Sequence, residues 1–100
     1  MIDITISLKG NEMLVGGKLV HNTVMAALEK SIALLPSDQE ISVNLSAVTG
    51  CDSSSLAFLT ALMREGKKRR TQLHFSHIPA EMDQIGRVSG LDNVLPITKR

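Results

Sequence analysis

The sequence predicts an α/β domain in which helices pack mainly on one face of a mixed β-sheet. Segments with an apolar residue at every second position alternate with segments whose apolar residues recur every three to four positions. Short loops join these segments, so each strand–helix–strand unit is expected to contain parallel strands with a right-handed crossover. An early hairpin adds one antiparallel edge strand, which makes the sheet mixed.

The amino-terminal segment has the pattern of a β-hairpin. Apolar and polar residues alternate over residues 2–8, as in a strand with one buried face. Gly10 suits the positive φ of a tight turn, and a returning strand is expected near residues 12–16. Because glycine weakens a strand, Gly16 and Gly17 are expected to end it.

A helix and a strand follow the hairpin. Asn22 or Thr23 can cap the helix, whose apolar residues recur at helical spacing until Pro36, which cannot continue it. The next alternating segment predicts a strand near residues 40–45. Residues 47–51 are expected to turn directly into a second helix.

The second helix begins just after Cys51 and ends in the basic residues 67–70, whose charges complement the helix dipole. Phe58 and Leu62 lie beside its predicted core sector. They either widen the core face or form the apolar part of a partner surface. The sector expected to pack on the sheet consists of Leu56, Leu59, Met63 and Gly66.

The carboxyl-terminal part predicts one more strand and one more helix. Alternation over residues 71–76 is typical of a strand, and Pro79 suits the first position of a third helix. Gly90 is expected to end that helix. A short terminal element is expected around Pro96.

Length and composition favour a single domain spanning residues 1–100. A chain of this size buries roughly 60 to 70% of its unfolded surface, which leaves no room for a second core. With two Phe and no Trp or Tyr, aliphatic residues must build that core. The same shortage of aromatic rings argues against a nucleic-acid surface built on base stacking.

Charge and cysteine content point to a cytoplasmic protein without a global electrostatic field. The formal charge is +1, so an electrostatic partner would have to use a local patch. Cys51 is the single cysteine and cannot form an internal disulfide. No apolar run approaches the roughly 18 residues of a membrane span, and the first residues lack the pattern of a secretory signal.

Candidate catalytic groups do not form a recognisable motif. A hydrolase could use Ser53 or Ser54 with Asp52 and one of three histidines, but the G-x-S-x-G turn is absent. One cysteine and three scattered histidines lack the spacing of a metal site, and no glycine-rich phosphate loop is present. We therefore expect no catalytic residue, metal or cofactor.

The start of the second helix is the candidate binding site. The Asp52 carboxylate is expected to cap the helix by accepting hydrogen bonds from the N–H groups of Ser54 and Ser55. Spacing alone favours a simple cap with tolerated serines. The functional alternative is an exposed hydroxyl at the carboxyl end of a strand, where open α/β sheets tend to place their sites.

The run from Val43 to Ala57, VNLSAVTGCDSSSLA, resembles the signature of STAS domains, named for sulfate transporters and anti-sigma-factor antagonists. The resemblance covers essentially the whole chain in element order and implies a STAS-type fold. Ser53 matches the family's key Ser/Thr position. Ser55 stands where the family usually has Gly, so its side chain would hold a partner backbone further away.

Within the family, the similarity extends to the STAS subunits of bacterial phospholipid ABC transporters, including the closing segment from Gly90 to Pro96. This resemblance implies a non-catalytic subunit that binds the transporter ATPase and helps to maintain outer-membrane lipid asymmetry. Such a subunit is cytoplasmic and meets the inner membrane only through the complex. The expected contact patch is Asp52, Ser53, Ser54, Ser55, Phe58 and Leu62.

The resemblance also supports an alternative partner. Ser54 stands where anti-sigma-factor antagonists carry a phosphorylatable serine and where the transporter subunits usually carry Gly. The alternative function is therefore that of an anti-sigma-factor antagonist. In that case the partner is an anti-sigma-factor kinase, which would phosphorylate Ser54 and so break the complex.

Overall fold

The structure, a computed structural model, describes residues 4–89 and the side chains of residues 4–85. The order of elements is the predicted one. The expected strand start at residue 2, the helix end at Gly90 and the element around Pro96 lie outside the described residues. The elements are β1 (Ile4–Lys9), β2 (Glu12–Leu19), α1 (Val24–Leu34), β3 (Glu40–Cys51), α2 (Ser54–Lys68), β4 (Gln72–Ser76) and α3 (Ala80–Ser89).

The four described strands form one mixed sheet in the order β1-β2-β3-β4. β1 and β2 pair antiparallel, and Gly10 adopts a φ of 56° in the turn between them. β2–β3 and β3–β4 pair parallel. The predicted α/β class, with a mixed sheet and an antiparallel edge strand, is confirmed. None of the helices in the described residues is long and apolar enough to cross a membrane.

β2 and β3 both run further than predicted. Gly16 pairs with Ala47 inside the sheet, so the expectations that Gly16 and Gly17 end β2 and that residues 47–51 form a turn are wrong. A Cβ atom on Gly16 would lie 2.8 Å from Thr5 Oγ1 and 2.9 Å from Ala47 Cβ. Glycine is therefore needed here for close packing between strands.

The core lies between one face of the sheet and the helices. Buried residues alternate with more exposed ones in β1, in β4 and in the first half of β3, as the period-two pattern predicts, whereas β2 has two adjacent buried residues, Val15 and Gly16. Ser31 is also buried, and its hydroxyl donates to the carbonyl of Ala27 at 2.8 Å, so it stays paired. The large, fully buried side chains include Met13, Leu19, Ile41, Leu45, Phe58, Leu59, Leu62, Phe75 and Met82.

The carboxyl-terminal ends of α1 and α2 are joined by hydrogen bonds. Arg69 Nη1 donates to the carbonyl oxygens of Ile32 and Leu35 at 3.1 and 2.6 Å. The Thr71 hydroxyl donates to the Pro36 carbonyl at 2.7 Å. Arg69, in the predicted basic end of α2, therefore adds a second donor to the Ile32 carbonyl, which also accepts the Leu35 N–H, and caps the Leu35 carbonyl at the end of α1.

α2 ends in a Schellman motif, a hydrogen-bonded turn that usually contains glycine. Arg70 occupies the left-handed position with φ of 55°, and its N–H donates to the Lys67 carbonyl at 3.2 Å. The Thr71 N–H donates to the Gly66 carbonyl at 2.8 Å. This turn brings the chain so close to α2 that a Cβ atom on Gly66 would lie 2.9 Å from the Thr71 carbonyl oxygen.

We predict that Gly66→Ala destabilises the protein by up to about 2 kcal/mol. Alanine gains about 1 kcal/mol over glycine in a helix, but overpacking against fixed backbone costs about 1–3 kcal/mol. Gly50→Ala is the control, since its Cβ atom would lie 3.7 Å from Lys18 Cγ, an ordinary contact. Urea denaturation measures both variants. A Gly66→Ala protein more stable than wild type would contradict the close contact.

Candidate functional site

Asp52 connects β3 to α2 and holds two loops together. Its Oδ1 atom accepts a hydrogen bond from the Ser54 N–H at 2.8 Å, as predicted for a cap. Its Oδ2 atom accepts one from the N–H of His21, in the loop between β2 and α1, at 3.1 Å. The carboxylate therefore ties the beginning of α2 to the segment that leads into α1.

These hydrogen bonds set the charge state of Asp52. The N–H of His21 contributes most to lowering the pKa of the Asp52 carboxyl, and the N–H of Ser54 follows. Both donors stabilise the carboxylate rather than the neutral acid. Asp52 is therefore ionised at neutral pH, and the contact between the two loops is charge-assisted.

The three serines after Asp52 have different environments. Ser53 is exposed, and its hydroxyl makes no hydrogen bond within the described residues. Ser54 is half-buried. Ser55 is 0% exposed, and its hydroxyl and its N–H donate to the Asp52 carbonyl at 2.7 and 3.0 Å. The prediction that the Asp52 carboxylate also caps the Ser55 N–H is therefore wrong.

Three residues expected in the contact patch are buried instead. Phe58 and Leu62 are 1% and 0% exposed, and Ser55 is turned inward. The expectation that these side chains present a surface to a partner is wrong. α2 packs against α1 as well as the sheet, which rotates its buried sector towards Phe58 and leaves Met63 only partly buried. Asp52, Ser53 and Ser54 remain as the accessible candidates.

Two features of this end of the molecule were not predicted. The His21 contact uses a backbone N–H, so no side-chain pattern in the sequence indicates it. Met25, in the first turn of α1, is 64% exposed. The sequence could have indicated this exposure, because Met25 lies outside the apolar stripe of α1 and a side chain there does not face the core.

Cys51 lies next to the site but is poorly suited to nucleophilic chemistry. Its Sγ atom lies 3.7 Å from Glu81 Oε1, which links β3 to α3. Burial raises the pKa of the Cys51 thiol, and the nearby Glu81 carboxylate raises it further. The thiol therefore stays protonated at neutral pH, which makes it a weak nucleophile.

Of the three histidines, His21 contacts the site through its backbone N–H, and the rings of the other two make contacts elsewhere. His74 Nε2 lies 3.0 Å from Glu40 Oε2, and His77 Nδ1 lies 3.1 Å from the hydroxyl of Ser76. In residues 4–89 no histidine ring is hydrogen-bonded to Ser53 or to Ser54. The geometry therefore lacks the contact between nucleophile and base that a serine hydrolase uses.

The fold and site together define a small α/β domain that offers a rigid helix start and a free hydroxyl, features that suit protein recognition. A family model described as "Mlab, STAS domain" matches residues 4–97, and the chain belongs to the STAS family, with MlaB as the matching type. STAS domains are protein-interaction domains and are generally non-catalytic. A comparison with curated protein sequences found no significant match.

Solved structures with the same fold include an anti-sigma-factor antagonist (STAS) domain protein from Planctomyces limnophilus. It is 14% identical, with a TM-score of 0.74 over 98% of this chain and 91% of that one. The unphosphorylated antagonist SpoIIAA is 15% identical, with a TM-score of 0.72 over 97% and 87%. The phosphorylated Bacillus SpoIIAA is 17% identical, with a TM-score of 0.65 over 97% and 90%. At these identities the similarity shows the fold alone.

We predict that the stabilising effect of Asp52 depends on pH. Because folding lowers the Asp52 pKa below the ordinary value of 3.8, the carboxylate stabilises the protein above that pH. This stabilisation is lost as pH falls through the still lower folded pKa. Asp52→Asn should therefore be less stable than wild type at pH 7, and the difference should shrink towards pH 2. Urea denaturation across this range measures it, and a constant difference would contradict the assignment.

Proposed function

We propose that this chain is the STAS subunit of an ABC-type phospholipid transporter and binds its ATPase subunit through the start of α2. The observation that carries the proposal is the free, exposed hydroxyl of Ser53. The match to the MlaB type of STAS domain supports the choice of partner. In this role the protein assists assembly or activity of the ATPase and performs no chemistry itself.

The geometry around Ser53 suits a protein contact. The hydrogen bonds of Asp52 to His21 and Ser54 hold the backbone on both sides of the site. A partner that binds there has little loop ordering to impose, so less of the interaction energy is lost to entropy. The Ser53 hydroxyl can both donate and accept one hydrogen bond with a partner group.

The proposed setting is the cytoplasmic side of the inner membrane, reached through the transporter complex. The transporter would maintain the lipid asymmetry of the outer membrane. The protein would contact the ATPase rather than lipid, which agrees with a site built from polar groups. Genes for an ABC ATPase, a permease and a periplasmic lipid-binding protein beside this one would support the proposal.

An anti-sigma-factor antagonist is the second candidate. The observation that favours it is Ser54, a hydroxyl at the position where such antagonists are phosphorylated. Phosphate at a helix N-terminus is favoured by the dipole, so the fold should tolerate it. The ionised Asp52, which bonds the Ser54 N–H, would repel the phosphate and change the surface offered to a kinase.

We predict that Ser53 contributes to binding but little to stability. Ser53→Ala should change the free energy of unfolding by less than about 1 kcal/mol, because Asp52 supplies the cap. Loss of a hydrogen bond at the interface should weaken binding to the purified ATPase subunit by roughly 1–3 kcal/mol. Ser53→Glu should bind more weakly still. Calorimetry, ATP turnover and melting temperature measure these effects.

The matched control is Ser37→Glu, which places the same charge on an exposed loop after α1. This variant should bind the ATPase subunit and support its ATP turnover as the wild-type protein does. Normal association and turnover by a folded Ser53→Glu protein would show that the ATPase does not contact this site. Failure of the wild-type protein to bind the ATPase would overturn the proposed function itself.

We predict that phosphorylation separates the two candidate functions. An antagonist isolated from its own cells should carry phosphate on Ser54, and Ser54→Ala should abolish the modification while Ser53→Ala retains the acceptor. Intact-mass measurement and peptide mapping test this. If the protein is unmodified and no kinase binds it, the antagonist alternative loses its support, whereas a stoichiometric phosphoserine would favour it over the transporter.

A further inference from the structure

The exposed side of α2 forms a narrow stripe that begins at the candidate site. At 100° per residue, its members lie within about 80° around the helix axis. Ser53, Ala57 and Arg64 are exposed, and Thr60 is half-buried. The stripe therefore begins with a hydroxyl, continues with small side chains and ends in cations. Its members are Ser53, Ala57, Thr60, Arg64 and Lys67.

The cations of this stripe differ from those at the extreme end of α2. Arg70 Nε lies 2.9 Å from Asp38 Oδ1, and Lys68 Nζ lies 3.8 Å from Glu65 Oε1. In contrast, Arg64 and Lys67 form no ion pair within residues 4–89. A local positive patch therefore exists although the whole chain has a formal charge of only +1.

We infer that this stripe, which we call the α2 stripe, binds an acidic segment of the partner ATPase. This inference rests on the proposed function. Carboxylates of the segment would face Arg64 and Lys67, while its other end contacts Ser53. Ser53 and Arg64 are 11 residues apart, which is about 16 Å along a helix. The small side chains between them let a partner backbone approach closely.

A protein partner fits this surface better than a membrane. Helices that adsorb to lipid combine cations with large apolar side chains on an adjoining face. In the described residues the large exposed apolar side chains are Met25 and Leu34, and both belong to α1. The α2 stripe therefore has charge but no apolar anchor, which favours complementary carboxylates on a folded surface.

Charge complementarity of this kind acts mainly on the rate of association. Exposed charges steer a partner during encounter, and added salt screens them. The hydroxyl contact at Ser53 acts after docking and controls dissociation. The two ends of the stripe therefore have separable kinetic effects, which a binding experiment can distinguish.

The test is the double substitution Arg64→Glu with Lys67→Glu, measured against the purified ATPase subunit by surface plasmon resonance. At low salt the association rate should fall by about tenfold or more, because attraction becomes repulsion. The wild-type rate should fall steeply with added salt, and the variant rate should not. The milder pair Arg64→Gln with Lys67→Gln should give an intermediate rate without placing acids near the helix carboxyl end.

The matched control is Lys9→Glu with Lys30→Glu, which changes the net charge equally on exposed positions of β1 and α1. Its association rate should stay near that of wild type. An equal loss in both double variants would show a net-charge effect and overturn the inference. Binding to vesicles with 30% anionic phospholipid that depends on Arg64 and Lys67 would overturn it in favour of a membrane.

The two hypotheses fail in different ways. If the wild-type protein binds the ATPase, Ser53→Glu weakens it and the Arg64 and Lys67 variants associate normally, only the α2 stripe inference is wrong. If the wild-type protein does not bind the ATPase, the proposed function is wrong and the inference falls with it. Melting temperatures of all variants verify that the comparison uses folded protein.

Discussion

The burial of α2 against both the sheet and α1 is the constraint on which the rest of the structure depends. A chain with two Phe and no Trp or Tyr has few large side chains with which to build a core, and one of them, Phe58, belongs to α2. Contact on two sides fixes the rotation of the helix about its axis. Asp52 at one end bonds to the loop before α1, and Arg69 at the other bonds to the carboxyl-terminal end of α1. The exposed surface of α2 is therefore a narrow stripe, and Ser53 belongs to it.

The sequence predicted the elements well because strand and helix periodicities are local. The strand ends were less predictable, since they depend on what lies across the sheet. From the sequence alone, Gly16 indicates the end of a strand. In the structure it occupies a position inside β2 where Thr5 and Ala47 leave no space for a side chain. The same limit applies to Gly66, whose contact with the Thr71 carbonyl is created by the turn that ends α2.

In the candidate site, too, the local contacts could be predicted from the sequence and the long-range contacts could not. The cap between Asp52 and Ser54 spans two residues and follows from residue type. The bond between Asp52 and the His21 N–H spans 31 residues and involves no side chain of His21, so residue types do not indicate it. A helical wheel centred on the sheet alone predicts Phe58 and Leu62 beside the core. Packing of α2 against α1 buries them as well.

The three adjacent serines are the same residue type, but the turn into α2 gives each of them a different environment. The Ser55 hydroxyl donates a hydrogen bond to the Asp52 carbonyl and is buried. It therefore adds no bulk to the outer surface, although the family usually has glycine at this position. Ser54 is half-buried beside an ionised carboxylate, where a modification would alter local charge. Ser53 alone among them combines exposure with a free hydroxyl. Since its backbone is already held, a contact there can be specific without being strong, and affinity must come from the surface around it. The exposed side of α2 is the part of that surface that Ser53 adjoins directly.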